Sequence, residues 1–168
     1  MKITYVLTTS DARAGTEKTF ADQTRAMMAR GHDVTVASAY QLPERGFSYG
    51  DGVRTDYITD LAHPEGPASL IIPPEWDNQF CLATDTAFLD YFRECTADCV
   101  VTSTPGLTLY ALLACPPSVK IVQEEHRPSM ARGRTAEPML RHSTRVDAVV
   151  VLTERNRDWL NGQWGSEA

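Results

Sequence analysis

Ile3-Thr4-Tyr5-Val6-Leu7, then Thr8 to Gly15, then Thr16-Glu17, then Gly31-His32-Asp33-Val34-Thr35-Val36 spell a strand, a loop, a helix start and a second strand. Between the two strands, Phe20, Thr24, Met27 and Met28 fall at i, i+4, i+7 and i+8, the spacing of one core-facing helical stripe. The helix is predicted over Glu17 to Arg30. Thr16 is placed to cap its free amides, Glu17 suits the positive end of the dipole, and Gly31 suits a left-handed stop. A parallel strand–helix–strand unit leaves its first loop at the carboxyl edge of the sheet, where open α/β sheets bind ligands.

The same alternation continues along the chain. Predicted strands are Ile3–Leu7, Val34–Ala37, a segment near Thr55 to Thr59, Cys99–Thr102, Val119–Val122 and Val146–Leu152. Phe88, Leu89, Phe92 and Cys95 form a helical stripe. Thr104-Pro105 reads as a capped helix entry with proline in the first turn, and Pro116-Pro117 ends that helix. Thr153-Glu154 opens a last helix carrying Trp159 and Leu160. The strands are continuous apolar runs, the pattern of a parallel sheet covered on both faces. Residues 1–168 therefore read as one doubly wound, Rossmann-like α/β domain. Tyr40 to Pro74 is rich in Gly, Pro and Asp and is loosely specified, so its order depends on its neighbours.

The totals fit this reading. A chain of 168 residues, 42% hydrophobic and 23% charged, can bury a core without staples. A formal charge of −6 argues against a nucleic-acid partner, which needs a basic face. Met1-Lys2-Ile3-Thr4-Tyr5 does not begin a signal peptide, and no run approaches the ~18 apolar residues of a membrane span. The expected location is cytoplasmic. Cys81, Cys95, Cys99 and Cys115 form no Cys-x-x-Cys pair. Cys95 and Cys99 would share a face if helical, but Cys99 begins an apolar strand, and the four are read as structural.

Two segments carry candidate chemistry. Ser10 to Thr16 has a single glycine, so it lacks both the dinucleotide fingerprint and the Gly-Lys-Ser/Thr phosphate cradle. Gly15 permits close backbone approach at a helix N-terminus, or marks a plain strand-to-helix turn. Gln123-Glu124-Glu125-His126-Arg127-Pro128 follows the strand Val119–Val122 and emerges at the same sheet edge. There the His126 imidazole can hydrogen-bond a sugar hydroxyl and carry a proton, or pair with Glu124 or Glu125 within its loop. A rim histidine of this kind is expected to contribute little to core burial. Arg127, Arg132 and Arg134 lie in a loop that either meets an anionic group or is simply solvated.

These phrases resemble family 4 glycosyltransferases of the GT-B fold. The residues that carry the resemblance are Ala14-Gly15-Thr16-Glu17 after a strand, Ala29-Arg30-Gly31-His32-Asp33-Val34-Thr35-Val36, and Thr104-Pro105-Gly106-Leu107. Glu125-His126 and Asp147-Ala148-Val149-Val150-Val151-Leu152-Thr153-Glu154 complete them. Ala14 stands where the family has the first of two glycines. The resemblance implies an N-terminal, acceptor-side domain whose cleft includes Gly15, Thr16, Glu17, Thr104 and Arg127 as donor- or acceptor-binding residues. His126 is its implied catalytic residue. It further implies a retaining, metal-independent transfer from a nucleoside-diphosphate sugar to an acceptor hydroxyl, with no tightly bound cofactor.

In the family, a C-terminal domain holds the nucleotide sugar with two glutamates seven residues apart, and no pair of glutamates here has that separation. The expectation is an acceptor-side half, inactive without a C-terminal nucleotide-sugar-binding domain. Its partners would be a sugar or glycan acceptor, anionic or membrane-associated in one version, and a second copy of itself in a homodimer. The edge around Ser10–Thr16, Ser103–Gly106 and Glu124–Arg127 is then expected to be open or covered by another chain. The alternative reading is a stand-alone Rossmann-like module that binds a carbohydrate, a nucleotide or a partner chain. A small flavodoxin-like or nucleotide-dependent enzyme is a third, against which the missing phosphate motif counts.

Overall fold

A computed structural model describes residues 1–44, 46–127 and 141–165. The elements run β1 (Lys2–Thr9), α1 (Gly15–Ala29), β2 (Asp33–Tyr40), β3 (Arg54–Tyr57), α2 (Leu82–Arg93), β4 (Cys99–Thr102), α3 (Pro105–Ala114), β5 (Lys120–Glu125), β6 (Ala148–Val151) and α4 (Glu154–Gly165). All six strands are parallel, in the order β3-β2-β1-β4-β5-β6. The order reverses between β1 and β4, which share a register through Ile3↔Cys99 and Val6↔Thr102.

Side chains along each strand alternate between the two faces. Val6, Ala37, Val100 and Ile121 pack under α2 and α3 with Phe88, Phe92, Leu107 and Tyr110. Tyr5, Leu7, Val34, Val36 and Val101 pack under α1 with Phe20 and Ala21. Both faces are therefore covered, as the continuous apolar strands require.

Local signals decide most helix ends. Gly31 takes φ +80°; its N–H donates to Met28 O and that of His32 to Met27 O, closing α1 with a left-handed glycine. Thr104 Oγ1 accepts from Leu107 N–H at 3.3 Å ahead of Pro105, as the α3 entry predicts. Thr153 Oγ1 likewise accepts from Asn156 N–H at 3.2 Å at the head of α4. The start of α1 differs from expectation. The helix begins at Gly15, with Ala14 at the N-cap and no side-chain cap, so Thr16 lies inside the first turn. Strand β5 also runs further than Val119–Val122. Pairing of Glu124 with Val150 and Glu125 with Val151 extends the ladder, so both glutamates are strand residues.

The Gly/Pro-rich middle is ordered by its neighbours. Residues 67–82 form a strap whose ends meet through an Ala68–Cys81 bridge and Leu82 N–H to Pro67 O. One buried carboxylate, Asp85 of α2, accepts from Ser69 Oγ at 2.6 Å, Leu70 N–H at 2.7 Å and the Tyr110 hydroxyl. Ile72 and Phe80 are buried, and Phe80 meets Tyr110 edge-on at 5.5 Å. Gly106 makes room for them, since a Cβ there would lie 2.7 Å from Phe80 Cε2 and 3.0 Å from Ile72 Cδ1.

Candidate active-site cleft

Three loops that are far apart in sequence converge at the carboxyl edge of β1, β4 and β5. With the strap they enclose a cleft of ≈ 510 Å³. The β1–α1 loop contributes Ala12, the first turn of α1 adds Thr16 and Glu17, and β4–α3 contributes Ser103 and Thr104. His126 and Arg127 follow β5, and the strap adds residues 74–79. The position is the switch point between β1 and β4, where doubly wound sheets bind ligands. A separate depression of ≈ 330 Å³ lies at the amino edge around Lys2, Asp33, Arg54 and Tyr91, away from the loops that follow the strands.

His126 sits in a cluster built on α1. Its ring meets Phe20 edge-on at 5.3 Å, and Phe20 in turn meets Tyr5 at 5.1 Å. His126 Nε2 lies 3.4 Å from Glu124 Oε2, which accepts a hydrogen bond from Gln23 Nε2 at 3.0 Å. His126 thus lines the cleft and faces Glu124, not Glu125. Contrary to the expectation for a rim residue, its side chain is only 11% exposed. Burial first, and then the Glu124 charge, push the Tyr5 phenol up to about 12. Arg127 is exposed at the cleft mouth, and its backbone N–H donates to Glu125 Oε1 at 3.0 Å. Arg132 and Arg134 lie outside the described residues.

Glu17, in the first turn of α1, is 9% exposed, and its Oε2 has no hydrogen-bond partner among the described residues. The amino end of the helix favours a carboxylate there. Thr104 both caps α3 and lines the cleft. Gly15 begins α1 outside the cleft lining. It is exposed, and a Cβ would meet nothing within 4 Å. The glycine that close approach demands is Gly46, where a Cβ would lie 2.3 Å from Ala12 O and 2.8 Å from Asp11 O. Asp11 fastens the same loop by accepting from Leu42 N–H at 3.0 Å and the Tyr57 hydroxyl at 2.9 Å.

The edge is consequently less open than expected. Ser10, Asp11, Ser103, Gly106 and Glu124 are buried: the 46–49 segment meets Ser10 and Asp11, the strap meets Gly106, and Gln23 and His126 meet Glu124. The cysteine geometry is also specific. Cys95 lies past the end of α2 and Cys99 in β4, and the thiol that Cys95 meets is Cys115. That hydrogen bond and burial push the Cys115 thiol up.

Sequence reasoning missed the strap as a cleft wall. Its signal was Trp76, a large aromatic set among Pro73, Pro74, Glu75, Asp77 and Asn78 and flanked by the buried Ile72 and Phe80.

Residues 13–168 match the profile of Glycosyltransferase Family 4. Over 187 aligned positions the chain is 33% identical to an exopolysaccharide phosphotransferase of Streptomyces coelicolor. The alignment takes in 100% of this chain and 20% of that relative, so the chain spans about a fifth of its length.

Proposed function

The chain belongs to glycosyltransferase family 4, and from that premise we propose that it forms the acceptor-side domain of a retaining sugar transferase. The donor is a nucleoside-diphosphate sugar held chiefly by a second domain, and the acceptor is a hydroxyl group of a glycan. The observation that carries this reading is the convergence of the loops after β1, β4 and β5 on one cleft at the switch point.

Each residue then has a task the geometry permits. The cleft walls exclude water and hold the acceptor hydroxyl against the anomeric carbon, which converts an encounter into an oriented reaction. His126, fixed by Phe20 and Glu124, offers a hydrogen bond to a sugar hydroxyl at the cleft floor. Thr16 and Thr104 add hydroxyls at two helix starts, and Arg127 supplies positive charge at the mouth for the donor phosphates.

The name of the Streptomyces relative supports a second reading, in which a phospho-linked group is transferred and a polysaccharide stays on the acceptor side. The products separate the two. Glycosyl transfer breaks the anomeric C–O bond and releases a nucleoside diphosphate; sugar-phosphate transfer breaks the pyrophosphate and releases a monophosphate. The test incubates a panel of nucleoside-diphosphate sugars with the chain combined with the proposed second domain and with the 168-residue chain alone. The expected result is diphosphate release by the former and none by the latter. Turnover by the chain alone would contradict the division of labour. A saturable ligand held equally well without a second domain would favour the binding-module alternative.

A further inference from the structure

We propose that the strap presents Trp76 as a stacking platform for an uncharged pyranose ring of the acceptor, with one ring hydroxyl donating to Glu17. The strap then sets which sugar is accepted. This inference rests on the sugar-transfer reading of the cleft and adds the class of group that its outer wall recognises.

The first argument is preorganisation. Trp76 is half-buried against the α2–α3 core while it lines the cleft. Its own N–H and that of Asp77 both donate to Pro73 O, at 2.8 Å and 3.1 Å. The Tyr40 hydroxyl holds Gln79 O at 2.6 Å, and the Asp85 network anchors the start of the strap. An aromatic ring held in place before binding loses little freedom when a ligand arrives.

Chemical fit is the second argument. A pyranose has a C–H face and a rim of hydroxyls. The negative face of an indole attracts the former, and carboxylates accept from the latter. Glu17 Oε2 is buried in the cleft wall without a hydrogen-bond partner among the described residues, an arrangement that is costly until a donor arrives. The third argument is charge. Glu75 and Asp77 flank Trp76 on the strap, and Glu17 lines the same cleft from the first turn of α1. A phosphate against this wall would meet carboxylates, whereas a neutral ring would not.

The test uses the 168-residue chain and the methyl glycosides of glucose, galactose, mannose and N-acetylglucosamine, with inorganic phosphate and uridine monophosphate as rival probes. Proton–nitrogen correlation spectra follow the indole N–H of Trp76, which Trp76→Phe assigns among the three tryptophans. At least one glycoside is expected to shift the Trp76 indole and the Glu17 amide. Trp76→Leu should weaken that binding about fivefold, and Trp76→Phe should hold it within about twofold, the difference expected of one aromatic contact.

Glycoside shifts at Thr16 and Thr104 with affinity unchanged in Trp76→Leu would overturn the platform and leave the sugar site standing. Occupancy of the Trp76 wall by phosphate or the nucleotide, and by no glycoside, would overturn the uncharged ring. Silence from every glycoside would overturn the proposal outright. If the chain combined with the proposed second domain still turned over a nucleotide sugar, the sugar-transfer reading would survive that failure.

Discussion

The cleft has two walls that are held by different physics. The inner wall, around His126, is fixed by regular structure: β5 pairs on both sides, and α1 lays Phe20 and Gln23 against the ring and its glutamate. The outer wall, the strap, contains no helix or strand of its own and is held by side chains, above all by Asp85. A wall made of secondary structure spreads its stability over many backbone bonds. A wall made of side chains concentrates it in a few groups, so a single substitution can release it.

That contrast ranks the expected effects. Asp85→Ala removes the acceptor from two hydroxyls and one amide in a buried setting, and should cost about 3 kcal/mol in urea unfolding. A loss below about 1 kcal/mol would mean that Ile72 and Phe80 alone hold the strap. Gly46→Ala puts a methyl group against backbone carbonyls that cannot turn aside, and Gly106→Ala puts one against Phe80. Each should cost about 2 kcal/mol, with Gly46→Ala the worse because its neighbours are main chain. Thermal melting that ranks them the other way would place the tighter constraint in the strap.

On the inner wall, Phe20→Leu removes the ring that His126 and Tyr5 both meet edge-on, and should cost about 1.5 kcal/mol. A neutral result would show that the aromatic cluster is incidental. Gly15→Ala should shift stability by less than about 0.5 kcal/mol, because the added methyl meets open space in the first turn of α1. A large loss there would restore Gly15 as a glycine required by close approach.

The sheet was legible because its signals are local and redundant. Apolar runs at Ile3–Leu7, Cys99–Thr102 and Val119–Val122, Gly31 at φ +80° and the Thr104-Pro105 entry each specify their own element. His126 was legible for a similar reason, since the residue that follows a parallel strand must emerge at the carboxyl edge. What stayed hidden depends on contacts between segments distant in sequence. Nothing near Ser69 announces that Asp85 will hold it. Nothing near Gly46 announces that the Asp11–Ala12 backbone will pass against it, and nothing in Val119–Val122 reveals that β6 will extend the strand to Glu125. Gly15 stands at a helix start in open space, so no protein contact there marks what its missing side chain is for.

The central claim is that the two walls form one site for sugar transfer, with His126 on its floor. The measurement that bears on it most directly is nucleoside-diphosphate release by this chain combined with the proposed second domain, compared with the His126→Ala variant well below both melting transitions. The account predicts at least a tenfold drop in kcat/KM, about 1.4 kcal/mol of transition-state stabilisation. Unchanged turnover accompanied by lost folding stability would contradict it, and would leave His126 as a packing partner of Phe20 and Glu124 alone.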